Sequence, residues 1–364
     1  MELQSLLDEF FVIDTFDTRE QYKVRHSFSE ILLILVIGMT CGHNTIYDCL
    51  CFAEDNFDFF KNILPFDNGL PSKDTMYRVL SVIEPKNLDL LLTKWIKDIK
   101  DDIISIDGKT LRRSRFKTGT PVHTINACSE ANGCIAQDSV RGKGHEREGV
   151  KNILENINIK GKLITTDALS TNDDIIKLIL KKKGDYLLPV KQNRKTWYTD
   201  IKDYFDSFKK ECEHYQRFDK NHGAIKEDYY ISHDTSFLDK FAKIKTIGLY
   251  INKKNEKTYR YFISSKELDA KSFAHAVRMH WQVETMHQYL DITLLEDNAV
   301  ICDKQVASNL SIIRKFILKH IKRYREEHNI KRSLDYVRMT SIKSLDMVFD
   351  IFKFDWRQIL KNKI

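Results

Sequence analysis

The chain has 364 residues, of which 42% are hydrophobic and 30% charged, a composition typical of a soluble globular protein with two or three structural units. Lysine and arginine exceed aspartate and glutamate by seven, which is compatible with a polyanionic partner but does not demonstrate one. Seven cysteines without a C-x-x-C pair favour a reducing compartment and argue against a disulfide framework or a zinc site.

The chain start and the apolar runs bear on location. The first residues carry no basic segment, and the longest apolar stretch, 31–39, is about half the length that spans a bilayer. We therefore predict no signal peptide, no membrane contact and a cytoplasmic location.

The first hundred residues have the pattern of a helical domain. An apolar helix pattern covers 27–52 and is broken near Gly42, and 71–75 supplies turn and helix-start residues. Pro85 begins a further helix in which leucines recur at helical spacing. We predict an all-helical N-terminal domain at 1–100.

From about residue 101 the pattern changes to short apolar runs that are typical of strands. Three consecutive strands are followed by a connection, a strand, a helix that ends near Gly184, and a fifth strand. This is the element order of the ribonuclease H-like fold, in which the first and fourth strands lie side by side. The predicted strands are 103–106, 122–128, 134–140, 163–166 and 185–190.

A strand-rich insertion is predicted at about 194–265, before the chain becomes helical from Ala270 onward. We therefore predict an α/β fold in which a ribonuclease H-like catalytic domain at 101–300 contains this insertion. The helical N-terminal domain precedes it, and a helical C-terminal segment at 301–364 follows. The predicted strands of the insertion are 228–232, 244–251 and 259–263.

Three acidic residues stand where two strands and a helix can bring them together. Asp107 follows the first apolar run, Asp167 follows the run at 163–166, and Glu284 lies in a helical pattern. Acids at strand ends are common because chains turn there, so each alone is weak. Together they can hold a pair of divalent cations that stabilise the attacking and leaving oxygens of a phosphoryl displacement. The set favours metal-dependent cleavage of DNA.

The helix near residue 280 carries a stripe of ionisable side chains, His280, Glu284, His287 and Asp291, which its spacing places on one face. With Glu284 as a metal ligand, the histidines would lie near the scissile phosphate. The alternative is an ordinary exposed polar face. Trp281 is compatible with stacking on an unpaired base and also with core packing.

Other chemistries lack their motifs. The sequence has no phosphate-binding G-x-x-x-x-G-K-[ST] loop, no G-x-G-x-x-G and no G-x-S-x-G elbow. Basic residues after Asp107 would add positive charge beside a phosphate, or would form a solvated loop. They are Lys109, Arg112 and Arg113.

Several blocks of sequence resemble the DDE transposases of bacterial insertion sequences, and the closest branch is that of the H-repeat-associated proteins. Segment 106–112 resembles the first catalytic block of that branch, 166–168 the second and 278–284 the third. Segments 184–186 and 191–193 resemble the stretch after the second block. The upstream segments 25–26, 41–42 and 71–79 are similar to the associated helical domain.

The resemblance implies an Mg²⁺-dependent polynucleotidyl transferase that binds the inverted-repeat ends of its element, hydrolyses a phosphodiester and joins the freed 3′-hydroxyl to target DNA. It implies two Mg²⁺ ions, replaceable by Mn²⁺, with Asp107, Asp167 and Glu284 as ligands and catalytic residues. A homodimer on double-stranded DNA, associated with the nucleoid, is also implied. Further DNA contacts are expected at Lys109, Arg112, Arg113, Lys191, Asn193, Arg278, His280, Trp281 and His287.

The chain also departs from related sequences. The broader superfamily often places Tyr, Arg, Glu and Lys around the third acid, where this chain has Val277, His280, Glu284 and Asp291. The insertion motif at 222–226 is altered as well. Two alternatives therefore stay open: a DNA-binding relic without catalytic activity, and a metal-dependent nuclease that cuts without joining.

Overall fold

The computed structural model describes residues 14–93, 101–114, 119–130, 133–140, 142–168, 171–219, 225–252 and 258–352. The predictions at 1–13, 222–224 and 353–364 lie outside these ranges. The chain forms two compact units, one made of 1–97, 110–124 and 286–364, the other of 98–109 and 125–285. The domain boundaries suggested by the sequence stay predictions.

The described residues form a mixed α/β structure with helices towards both ends of the chain. Among them, no helix combines the length and the apolar composition needed to cross a membrane. The helices are α1 (Phe28–Thr40), α2 (Ile46–Asp55), α3 (Phe57–Lys61), α4 (Lys73–Val82), α5 (Pro85–Thr93), α6 (Glu146–Asn156), α7 (Asp173–Lys181), α8 (Lys195–Phe208), α9 (Ala270–Ile292), α10 (Lys304–Glu327), α11 (Leu334–Lys343) and α12 (Leu345–Phe352). The strands are β1 (Ile103–Thr110), β2 (His123–Ser129), β3 (Gly133–Val140), β4 (Leu163–Thr166), β5 (Asp185–Val190), β6 (Glu213–Asp219), β7 (Ile225–Ser232), β8 (Thr246–Asn252) and β9 (Thr258–Ser264).

The first long helix begins and breaks where the sequence indicates. Ser27 caps α1 in a reciprocal arrangement with Glu30, whose backbone N–H donates to the Ser27 hydroxyl at 3.1 Å. The break after α1 falls at Gly42, which has a φ of +96° that side chains with a Cβ rarely adopt. Ser72 caps α4 by accepting a hydrogen bond from the Thr75 N–H at 3.2 Å. The described part of 1–100 contains helices and turns only, as predicted.

The strands form one nine-stranded sheet in the order β3-β2-β1-β4-β5-β9-β8-β7-β6. β1 pairs with β4 in parallel, and β4 pairs with β5 in parallel. The pairings of β5 with β9, β9 with β8, β8 with β7 and β7 with β6 are antiparallel. The predicted adjacency of the first and fourth strands is therefore confirmed. The strands of the predicted insertion extend the same sheet.

Two elements of the insertion region were not predicted. α8 has its buried residues Trp197, Ile201 and Phe205 at four-residue spacing, a helical signal that was present but overlooked. β6 is the terminal strand of the sheet, and its sequence Glu213–Asp219 is mostly polar. A strand at a sheet edge needs few apolar side chains, so it leaves little periodic signal.

Helix α9 packs on the sheet through Phe273, whose ring is fully buried in a core cluster with Tyr229 and Phe262. The ring lies directly over Gly248 of β8, where a Cβ would come within 2.5 Å of it. The absence of a side chain at Gly248 therefore sets how closely α9 approaches the sheet.

Gly248→Ala is expected to destabilise the protein by about 1–3 kcal/mol, because the added methyl group displaces the Phe273 ring in a packed core. Chemical denaturation measures this change. Gly144→Ala is the matched control, since a Cβ there meets nothing within 4 Å. Equal stability of the two variants would contradict the close packing.

Candidate active site

The strand register brings two of the predicted acids together. β1 and β4 run parallel with Ile106 opposite Thr166, so the next residues along the two strands are Asp107 and Asp167. Neighbouring strands lie about 4.8 Å apart. The backbones of these two acids are therefore adjacent although 60 residues separate them in sequence.

The prediction that the first strand ends at Ile106, just before Asp107, was wrong, because β1 continues to Thr110. β1 neighbours β2 in the sheet, and Thr110 Oγ1 lies 2.8 Å from His123 Nδ1 on that strand. This pairing keeps the second half of β1 extended. Asp107 consequently lies inside a strand, at the level where β4 ends.

Helix α9 is fixed to both strands one turn before Glu284. The Ser105 hydroxyl of β1 donates to the Met279 carbonyl at 3.0 Å. Thr165 of β4 lies 3.2 Å from His280, from Oγ1 to Nδ1. Glu284 follows His280 by one helical turn, so these bonds place its backbone over the strands that carry the aspartates.

A cavity of about 160 Å³ opens between β4, β5, β9 and α9, and we call it the acid cavity. Asp167 and Glu284 both line it, with Lys191 and Arg260 supplying positive charge. The remaining lining residues are Thr165, Thr166, Ala168, Leu187, Pro189, Phe262, Ala276, Val277, His280 and Trp281.

Asp107 does not line the acid cavity but is electrostatically coupled to its acids. The pKa of Asp107 is raised to about 7, chiefly by burial. The hydrogen bond from the Gly108 N–H lowers this pKa, and the nearby charges of Asp167, Glu284 and Glu146 raise it. The charges of Asp167 and Glu284 contribute to this shift, and a bound cation would offset their repulsion of a charged Asp107. The electrostatics of the three acids therefore fit a cation.

The carboxylates of the three acids are not close enough together in this conformation to bind one cation jointly. Among the described residues, no three His, Cys, Asp or Glu side chains are grouped closely enough to hold a metal ion. Glu284 is exposed and therefore has room to change its rotamer. Shared coordination by the three acids would require such a movement.

Comparison with known proteins places the chain in a family. Residues 98–334 match the family described as "Transposase DDE domain", and residues 12–96 match the family described as "DDE_Tnp_1-associated". The chain belongs to the DDE transposase family. The predicted resemblance is thus confirmed.

Relatives of this chain include three proteins from Escherichia coli. The chain is 33% identical to "H repeat-associated putative transposase YhhI" of strain K12, over 86% of this chain and 89% of that protein. It is 33% identical to "Putative protein YbfL" of the same strain with the same coverage. It is 32% identical to "Putative transposase YncI" of strain O157:H7, over 87% of each chain.

Beside the acid cavity, the chain has a larger depression of about 760 Å³, which we call the cationic groove. Its basic residues are Arg217, Arg260, Lys271 and Arg278, and Arg260 and Trp281 line both the groove and the acid cavity. The other lining residues are Glu130, Tyr215, Glu227, Tyr250, Asn252, Thr258, Ala274, His275, Met279, Gln282 and Thr285.

The predicted DNA contact Arg278 faces the groove, where its Nη1 donates to buried Glu227 at 2.9 Å. The hydroxyls of Tyr229 and Tyr250 donate to the same carboxylate at 3.0 and 3.2 Å. Trp281 is wedged against this network, with its ring 5.4 Å from that of Tyr250 and 5.7 Å from the Arg278 guanidinium. Arg278 therefore stabilises the position of Trp281, which lies between the cationic groove and the acid cavity.

The structure brings three of the predicted DNA contacts, Lys191, His280 and Trp281, to the acid cavity. Asn193 instead donates to the Ala168 carbonyl at 2.8 Å and so supports the segment that follows Asp167. DNA contact by any of these residues stays a prediction.

The other expected DNA contacts do not line the acid cavity. Lys109 is buried, and Arg112 forms an ion pair with Asp297 at 3.3 Å. Arg113 is exposed, and His287 is half-buried on α9. Their contact with DNA also stays a prediction.

Sequence reasoning missed Arg260, Ser105 and Thr165. Arg260 lies in a strand among tyrosines, and the two hydroxyl residues lie in apolar runs that signal only burial. Their roles depend on partners more than 15 residues away in the chain, such as Trp281 and Met279. No local pattern marks them.

Proposed function

We propose that this chain is a metal-dependent DNA transposase that cleaves a phosphodiester at the ends of its element and joins the freed 3′-hydroxyl to target DNA. The observation that carries the proposal is the parallel register of β1 and β4, which sets Asp107 beside Asp167 under the helix that bears Glu284. Membership of the DDE transposase family supports the same function.

A ribonuclease H-like catalytic core is part of the proposal. The sequence of elements from β1 to β5 is three strands, a helix, a strand, a helix and a strand. The strands take the order β3-β2-β1-β4-β5, with β1 and β4 parallel in the centre. Two adjacent strands thus carry the first two acids at neighbouring backbone positions.

The residues that would hold divalent cations are Asp107, Asp167 and Glu284. Bound Mg²⁺ or Mn²⁺ would lower the pKa of the attacking hydroxyl and stabilise the leaving oxygen. The raised pKa of Asp107 means that it is partly protonated at neutral pH, so it must release a proton before it can act as a charged ligand. Lys191 and Arg260 line the acid cavity and would contact the phosphate beside the acids.

The positive charge of the cationic groove suits the binding of DNA that extends from the acid cavity. Arg217, Arg260 and Lys271 form no ion pair with another described residue, whereas the charge of Arg278 is balanced by Glu227. Unbalanced cations attract phosphates, and an aromatic ring such as the half-buried Trp281 can stack on a base. Because Trp281 and Arg260 line both spaces, a strand leaving the acid cavity would pass directly into the groove.

Replacing Arg217 and Lys271 together with glutamine is expected to weaken DNA binding and to flatten its salt dependence. Each lost phosphate contact reduces the slope of log K against log salt by roughly 0.7–0.9. Fluorescence anisotropy over a range of salt concentrations measures both effects. The matched control is Lys160→Gln, an exposed lysine outside the groove; equal slopes for the two proteins would exclude the groove as a DNA site.

The function is tested by incubating the protein with DNA duplexes that carry the sequences flanking its gene, in Mg²⁺ or Mn²⁺, and following nicks and joined products on sequencing gels. Cleavage followed by joining supports a transposase. Cleavage without joining indicates a nuclease, and binding without cleavage indicates a relic. Homodimer formation on paired ends is part of the proposal and is measured by mass photometry of the DNA complex.

A further inference from the structure

Three hydrogen bonds form a chain from the acid cavity into the sheet. His280 Nδ1 lies 3.2 Å from Thr165 Oγ1, which lies 3.1 Å from Ser105 Oγ, which lies 3.0 Å from the Met279 carbonyl oxygen. Ser105 and Thr165 are buried, so water does not compete for these bonds. We call this chain the hydroxyl relay.

The direction of the hydroxyl relay follows from its last member. A carbonyl oxygen can only accept, so the Ser105 hydroxyl must donate to Met279. Ser105 then accepts from the Thr165 hydroxyl, whose single hydrogen is thereby used. Thr165 can only accept from His280, so the hydrogen of a neutral His280 ring must be on Nδ1.

The second ring nitrogen of His280 is left as an acceptor. Nε2 has no hydrogen-bond partner among the described residues. It is also not fully enclosed by them, so a ligand can reach it. His280 lines the acid cavity with Asp167 and Glu284. A neutral ring that donates from Nδ1 thus offers an accessible lone pair beside the acids.

We propose that His280 is a further residue of the reaction site, whose Nε2 accepts a hydrogen bond from the attacking hydroxyl, either water or a DNA 3′-hydroxyl. The proposal rests on the proposed function. It differs from the role that a superfamily arginine would have at this position, because arginine only donates and would bind phosphate. In this chain, Lys191 and Arg260 contact the phosphate, and His280 orients the nucleophile.

Nuclear magnetic resonance of protein labelled with ¹⁵N at histidine tests the relay without any activity measurement. The His280 signals, assigned by their loss in His280→Gln, are expected to show a protonated Nδ1 and an unprotonated Nε2. Ser105→Ala frees the Thr165 hydroxyl to donate to Nδ1, so the Nε2-protonated form should become populated. Ser129→Ala, a buried serine of β2 whose hydroxyl has no partner among the described residues, should leave the signals unchanged.

Wild-type protein with Nε2 protonated would overturn the assignment, as would a Ser105→Ala spectrum identical to the wild type. A protein that cleaves no DNA but shows the expected tautomer would refute the proposed function and leave the relay intact. The two failures are therefore distinguishable.

Cleavage assays test the role of the lone pair. The side-chain oxygen of glutamine can occupy the region of Nε2, whereas that of asparagine reaches only the region of Nδ1. His280→Gln should therefore keep most of the cleavage rate at saturating DNA, and His280→Asn should lose roughly tenfold, the worth of one hydrogen bond. DNA affinity should be the same in both.

A loss that appears in DNA affinity alone would show that His280 binds substrate without orienting the nucleophile. Wild-type activity in His280→Arg would show that a cation serves at this position. Either result would overturn the proposal.

Discussion

Glu284→Gln is expected to lower the rate of metal-dependent DNA cleavage by about a thousandfold or more while leaving DNA binding intact. The substitution keeps the size of the side chain but removes the negative charge from the one acid that α9 contributes to the acid cavity. Stabilisation of an attacking and a leaving oxygen by a bound cation is worth several kcal/mol, and about 4 kcal/mol corresponds to a thousandfold change in rate. Single-turnover cleavage of end-containing duplexes measures the effect.

Two matched proteins sharpen this experiment. Glu267→Gln makes the same change at an exposed acid that lines neither the cavity nor the groove, and it should cleave at the wild-type rate. Asp167→Asn should be as inactive as Glu284→Gln. Wild-type cleavage by both acid-cavity variants would refute the catalytic assignment, and equal loss in Glu267→Gln would point to a general charge effect.

The sequence was sufficient to predict which strands carry the acids. Apolar runs that end in Asp107 and Asp167 have the length and composition of buried strands, and the observed strands β1 and β4 contain or adjoin them. Their pairing in parallel was predicted from the order of elements and is confirmed. The extent of β1 was predicted wrongly, because its last residues pair with β2 although they are not apolar.

The environment of the site could not be read from local patterns. Glu227 and Arg278 meet across 51 residues of sequence, and Ser105 meets Met279 across 174. Arg278, a predicted DNA contact, is bound by a buried carboxylate, and Arg260, which was not predicted, lines the acid cavity. Periodicity reports which face of an element is buried, but the partner of each polar group is fixed only by tertiary packing.

The partial protonation of Asp107 has a measurable consequence for stability. With its pKa at about 7 instead of near 3.8, Asp107 binds its proton more tightly in the folded chain than in the unfolded chain. Its contribution to the free energy of unfolding therefore falls as the pH rises from about 4 to about 7, and the full penalty remains above pH 7. In buffer with a chelator, Asp107→Asn should be more stable than the wild type at pH 8, by up to about 4 kcal/mol.

The advantage of Asp107→Asn should disappear near pH 4, where the wild-type carboxyl is protonated in both folded and unfolded chains. Adding Mg²⁺ at pH 8 should stabilise the wild type, because a cation offsets the repulsion among the three acids, and should stabilise Asp107→Asn much less. Denaturant unfolding at both pH values, with and without Mg²⁺, tests both expectations, with Asp138→Asn as a control acid outside the cavity. A stability difference independent of pH would show that Asp107 is charged in the folded chain. An equal response of both proteins to Mg²⁺ would mean that the ion binds elsewhere, so these measurements locate the cation before any cleavage is assayed.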